Sequence, residues 1–338
     1  MRLSKPRPRK SQSWLTTFVC VALISVCLSP GAPDAWAQEG TATSVRQATS
    51  AEAARRVEAK QELDELARRA MNVACAEREQ DPQGSAPIDE MQAMPSLPLR
   101  HTDVLTGIER AERLLPVAKT LAAESLRTLL REHEIKESNA IRAAFARLAQ
   151  VRVVKPDMEL RDNASVLYRE PRTIRFGTIF LAGLRSDEGM ISVLAHELTH
   201  VADGASGTLN TLFRGVAQRA SRAVGLPRIN VRRGEELTCD LVGALSVRAY
   251  IRRTESVETL ARRTARALAH NCVEIDHTDR AHLSPRTTMR ALLLLRPALA
   301  REITGEPAQA SDTTQGAPAL PSRRNQRRAA HPVAPPRR

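Results

Sequence analysis

The stretch that most constrains this 338-residue chain is SVLAHELTHVAD, running from Ser192 to Asp203. His196 and His200 are four residues apart, and on a helix that spacing stacks them on one face, one turn apart. Two imidazole nitrogens can then reach a single tetrahedral ion. Glu197 projects beside them, placed to take a proton rather than to ligate. Ile191, Leu194, Leu198 and Val201 form a separate apolar stripe, which marks the buried side. Upstream, Ser186-Asp187-Glu188 reads as a helix start: a capping hydroxyl, then acids where the helix dipole favours negative charge. Asp203-Gly204 reads as the stop. The segment is expected to be a helix with one chemical face and one structural face.

A metal centre needs a third ligand. In RRGEELTCDLVGAL, Glu236 and Asp240 are again four apart, on a segment expected to be helical after Gly234. Glu236 would complete a His₂Glu set with the fourth position left open, as catalytic zinc sites are built. Asp240, one turn on, would hold the free ring nitrogen of a ligating histidine and fix its tautomer. Gly243 and Ala244 would let this helix approach the first closely. Glu235 is the ligand in a shifted frame, and two acids on a solvated helix face is the plain alternative.

The termini have a different character. Arg2, Lys5, Arg7, Arg9 and Lys10 precede a short apolar run from Trp14 to Leu28, and Ala35-Trp36-Ala37 follows. That order reads as a secretory signal over residues 1–37, cut after Ala37, so the protein is expected to be exported, periplasmic or secreted. No later stretch is apolar enough to span a bilayer, so no integral membrane segment is expected after cleavage. The tail, residues 304–338, is rich in Pro, Ala and Arg with no apolar periodicity and reads as disordered. The formal charge of +13 divides into about +4 on each of these two terminal segments, leaving a modest excess between. Both tryptophans, Trp14 and Trp36, lie in the leader. A base-stacking platform is hard to build from what remains, and no specific nucleic-acid partner is expected. The arginine-rich tail could make weak contact with an anionic surface; a solvated tail is the plain alternative. Beyond the leader, Cys75, Cys239 and Cys272 remain, an odd number that allows at most one internal bridge. Cys75–Cys272 is the pair to test, against three buried thiols.

Between the termini, Gln38 to Ser50 is small and polar and reads as loose. Ala51 to Glu79 carries Val57, Leu63, Leu66, Ala70 and Val73 near helical spacing, an amphipathic packing helix. Asp81 to Pro98 holds four prolines and reads as a linker or extended wrap, so 38–100 forms an N-terminal helix and linker ahead of a domain over 101–303. Helix is expected again from about 106 to 150, broken near 132–138. Strands are expected at Val151 to Lys155, at Ser165 to Tyr168, and at Thr173 to Leu181 (TIRFGTIFL), where Gly177 marks a close backbone approach or a bulge.

HELTH followed by EELTCDLVGA resembles the gluzincin metallopeptidases, in particular the heat-shock membrane protease and CAAX prenyl protease family, whose HExxH is followed by ExxxD. TIRFGTIFLAGL sits where that family has an edge strand ahead of the zinc helix, and HLSPRTTMRALL, with Arg290, is similar to its downstream His-Pro region. The resemblance covers roughly residues 140–295. It implies an α+β, zincin-like domain, mainly helical, with a small sheet whose edge strand binds substrate. It further implies one zinc ion on His196, His200 and Glu236, with Glu197 as general base and Asp240 behind a ligand. The reaction implied is hydrolysis of polypeptide substrates. The spacer from His200 to Glu236 is short for the family, its membrane helices are absent, and His282 is not followed directly by Pro. The donor to the transition state stays open among His282, His277, Tyr168 and Tyr250. A non-catalytic, zinc-containing binding or chaperone-like protein on the same fold is the competing expectation.

Overall fold

The computed structural model describes residues 39–307 apart from Pro82, Ile275 and Asp279, with side chains described from Glu52 onward. The expected signal segment, residues 1–37, and most of the tail lie outside the described residues. Eleven α-helices and three strands follow in chain order: α1 Glu39–Gln80, α2 Ile88–Ala93, α3 Thr102–Glu132, α4 Asn139–Gln150, β1 Val153–Asp157, β2 Ala164–Val166, β3 Thr173–Gly177, α5 Thr178–Gly183, α6 Asp187–Asp203, α7 Asn210–Val224, α8 Val231–Arg253, α9 Leu260–Arg266, α10 Pro285–Leu295 and α11 Pro297–Thr304. The fold is α+β and mainly helical. Among the described residues, those from Arg56 onward make one compact unit, and residues 39–55 belong to another. Among the described residues no helix is long and apolar enough to cross a membrane.

The long helices begin and end where side chains supply the missing backbone partners. Ser138 Oγ accepts from the Ile141 amide at the start of α4, and Ser186 Oγ accepts from the Gly189 amide at the start of α6. Asn230 Oδ1 accepts from the Arg233 amide ahead of α8, which begins four residues earlier than the reading that starts it after Gly234. At the far end of α6, Gly204 takes φ of 64°, a value that favours glycine, and its amide donates to the His200 carbonyl. Arg147 of α4 reaches across to donate to the carbonyls of Val201, Ala202 and Asp203. It satisfies three acceptors that a helix end leaves without partners.

Four expectations are corrected. Residues 39–50 are helical, not loose: α1 continues to Glu39 through a stretch of Ala, Thr, Gln and Arg that contains no proline. Asp81 to Pro98 is not a bare linker, since α2 interrupts it and Asp81 and Ser85 are buried. The run from Thr173 to Leu181 is strand only as far as Gly177, beyond which the chain turns into α5. Moreover β3 is no edge. The sheet order is β1-β3-β2, with β3 parallel to β1 and antiparallel to β2. Four of its five residues are buried, which explains why TIRFG alternates poorly in polarity: both faces are covered. Gly177 does mark a close approach, since a Cβ there would stand 1.9 Å from the Arg161 carbonyl oxygen.

The core is built around α6, whose stripe of Ile191, Leu194, Leu198 and Val201 is buried against α3, α4 and α8. Gly243 of α8 faces Ser192 of α6 so closely that a Cβ would meet its carbonyl oxygen at 2.7 Å, so this glycine sets the helix spacing. Charges clamp the first turn of α6 from outside. Arg263 of α9 donates to Glu188 at 2.6 Å with both side chains buried, while Arg113 of α3 meets Asp187 at 2.7 Å near the surface. Cys75 of α1 is bridged to Cys272, tying that helix to the segment ahead of α10.

Removing Arg263 would leave Glu188 charged and buried without its partner. Arg263→Ala is expected to cost about 3–5 kcal/mol, and Arg113→Ala, at an exposed pair, about 0–1 kcal/mol. Urea denaturation of the two variants checks this; equal midpoints would show that the buried pair does not brace α6.

Candidate metal centre

Helices α6 and α8 bring the expected residues together. His196 Nε2 and His200 Nε2 lie 3.2 Å apart, and Glu236 Oε2 is 3.3 Å from each. Three electron-pair donors thus form a nearly equilateral triangle. An ion bonded at ~2.0–2.1 Å in a tetrahedron separates its nitrogen and oxygen donors by about 3.3 Å, so the residues fit a small divalent ion.

Each histidine is held from behind by a second carboxylate of α8. His196 Nδ1 donates to Asp240 Oδ1 at 2.8 Å, and His200 Nδ1 donates to Glu235 Oε1 at 3.0 Å. Both rings are thereby fixed with Nε2 turned towards the shared point, the arrangement that supports metal-ligating histidines. Asp240 stands where the sequence reading put it. Glu235, the rival ligand of the shifted frame, instead accepts from the outer ring nitrogen of His200. Adjacent residues on a helix point about 100° apart, so Glu235 and Glu236 approach the same ring from different sides.

Cys239 is the residue that sequence reasoning missed as a donor. It is wholly buried, one turn after Glu236, and its sulfur and one nitrogen each of His196 and His200 lie within 4.8 Å of one another. His196, His200 and Cys239 are a group that could hold a metal ion. Glu236 Oε2 is in direct contact with both Nε2 atoms, so the site offers two candidates for a third donor. The signal for Cys239 was its i+3 spacing from Glu236.

Glu197 is 5% exposed in the same helix. Burial raises its pKa; the two histidines pull it down and the neighbouring carboxylates push it up, with a net rise. Of the four candidate donors, His282 touches the triangle, its Nε2 3.5 Å from Glu236 Oε2 and its side chain about half exposed. Tyr168, beyond the end of β2, has its hydroxyl pKa raised by partial burial and by Glu235 and Asp203. Tyr250 does not belong to the site. Its hydroxyl donates to Asp187 at 3.1 Å, and burial and that charge push its pKa up to about 12. His277 is exposed. Arg290 pairs with Asp64 of α1 at 2.8 Å and serves packing. His270, with its pKa lowered by burial, sits close enough to feel Asp240 and His196.

No family model, no curated protein and no solved structure matches this chain. The chemistry must be read from the site itself.

Without an ion, burial opposes a charge on His196, but the charge and hydrogen bond of Asp240 and the contact with Glu236 outweigh it and hold its pKa well above the usual range. For His200, burial is likewise outweighed, by Cys239, Glu235 and Glu236. Burial would raise the pKa of Glu236, yet hydrogen bonds from His196, His200 and His282 bring it far down. Both histidines therefore keep protons above pH ~6.5, and an ion must displace them. Affinity should rise with pH through neutrality and fall in acid. Metal added to lightly buffered protein at pH 7 should release about one proton from each histidine, on the order of two per ion, and a further one from any thiol that joins the donor set. Metal uptake with no proton release would show that the histidines were already neutral.

Proposed function

We propose that this chain is an exported zinc metalloendopeptidase that hydrolyses peptide bonds of unfolded or envelope polypeptides. The observation that carries the reading is the triangle of His196, His200 and Glu236 donor atoms, with an ionisable buried carboxylate, Glu197, in the helix that supplies both histidines. The gluzincin-like order of HELTH and EELTCD supports it. The Cys75–Cys272 bridge supports an oxidising compartment.

A zinc ion held by His196, His200 and Glu236 would act as a Lewis acid, polarising a peptide carbonyl and acidifying water. Asp240 and Glu235 keep the two rings oriented. Glu197 takes the proton of the attacking water on its carboxylate and returns it to the leaving amide nitrogen. Its burial raises its pKa, which favours its taking a proton. His282, half-exposed beside Glu236, donates a hydrogen bond to the carbonyl oxygen as charge gathers there. Substrate binds in extended form along the outer edge of β2, which packs against α6, in place of the β3 edge expected from the sequence. Backbone pairing at such an edge gives affinity with little sequence preference.

A second reading is a non-catalytic, zinc-containing binding or chaperone-like protein. Cys239 favours it, because a centre closed by four protein donors is of the structural kind.

Glu197→Gln should keep zinc and lose cleavage of a labelled unfolded polypeptide by about 10²–10⁴-fold. Wild-type protein that holds zinc and never cleaves would favour the second reading, and equal cleavage by the variant would remove Glu197 from the mechanism.

A further inference from the structure

We propose that Cys239 is a ligand of the same ion in the resting protein, so that the centre is His196, His200, Glu236 and Cys239, closed by a thiolate whose release frees the position hydrolysis needs. This inference rests on the metal-binding reading above and adds to it a latch within the ligand helix.

The placement of the sulfur argues for it. Cys239 and Glu236 are three apart on α8, so both face α6 at the level of the histidine pair. The cysteine is 0% exposed, yet it lies outside the contiguous apolar cluster that holds its neighbours Leu237, Leu241 and Val242. It lies beside His196 and His200, one nitrogen of each within 4.8 Å of the sulfur. A buried cysteine serving only as a small apolar filler would be expected among aliphatic side chains. The other two cysteines near the core are spent on a bridge, and burial leaves this one a free thiol.

The chemistry of a mixed donor set follows. On ligation the thiol gives its proton to solvent and the sulfur bonds to the ion as thiolate. Sulfur beside imidazole nitrogen selects zinc and cobalt over magnesium or manganese. With Glu236 and Cys239 both bound, four protein donors fill a tetrahedron and no place is left for a reacting water. Loss of the sulfur alone would leave the open His₂Glu arrangement. Glu236, in contact with both histidines, is the ligand that stays.

Cobalt(II) tests this directly, because a bound thiolate gives cobalt an intense near-ultraviolet charge-transfer band that nitrogen and oxygen ligands do not. The full chain is loaded with cobalt as wild type, Cys239→Ser, Cys239→Ala and Glu236→Gln, with thermal melts recorded to establish folding. The expected result is a band in the wild type, its retention in Glu236→Gln, its loss in both cysteine variants with cobalt still bound, and several-fold faster hydrolysis of unfolded polypeptide by zinc-loaded Cys239→Ala. Cobalt bound to the wild type without the band would overturn the proposal and leave the metal centre standing. No cobalt uptake by folded wild type would overturn both. A band with no gain in hydrolysis by Cys239→Ala would overturn the latch.

Discussion

Two imidazole nitrogens 3.2 Å apart, with a carboxylate oxygen 3.3 Å from each, are held in place only if positive charge lies among them. Protons can supply it: the acidic neighbours drive both histidine pKa values up, and the histidines drive that of Glu236 down. A divalent ion supplies it more compactly. Everything around the triangle maintains that concentration of donors. Asp240 and Glu235 hold the outer ring nitrogens, and Gly243 lets α8 come close enough to deliver all of these groups to α6. The buried Arg263–Glu188 pair and the Arg147 contacts then fix the two ends of α6.

Much of this was legible in the sequence because it depends on helical spacing. Ser186 as cap, Asp203-Gly204 as stop, and the split between the histidine face and the apolar stripe all follow from an angular repeat that a helix imposes locally. Asp240 behind His196 and the close approach at Gly243 were readable for the same reason. The Cys75–Cys272 bridge was readable from the cysteine count in a chain expected to be exported.

What was not legible depends on partners distant in sequence. Nothing in TIRFGTIFL distinguishes a central strand from an edge, because strand order is set by what pairs with it; here β1 and β2 flank β3 and α5 takes over its last residues. The division of labour between Glu235 and Glu236 depends on the rotation of α8 against α6, which a frame argument could pose but not decide. Cys239 looked like a buried thiol from sequence. Only the packing of the two helices shows that its neighbours are the histidine rings.

The measurement that tests this account most directly is the metal content of the purified chain by elemental mass spectrometry, beside a His196→Ala control. The account predicts about one zinc per chain in the wild type, lost in the control. Folded wild-type protein without zinc, and unable to take it up, would contradict it, and the two histidines would then be a protonated ion-pair cluster on packed helices.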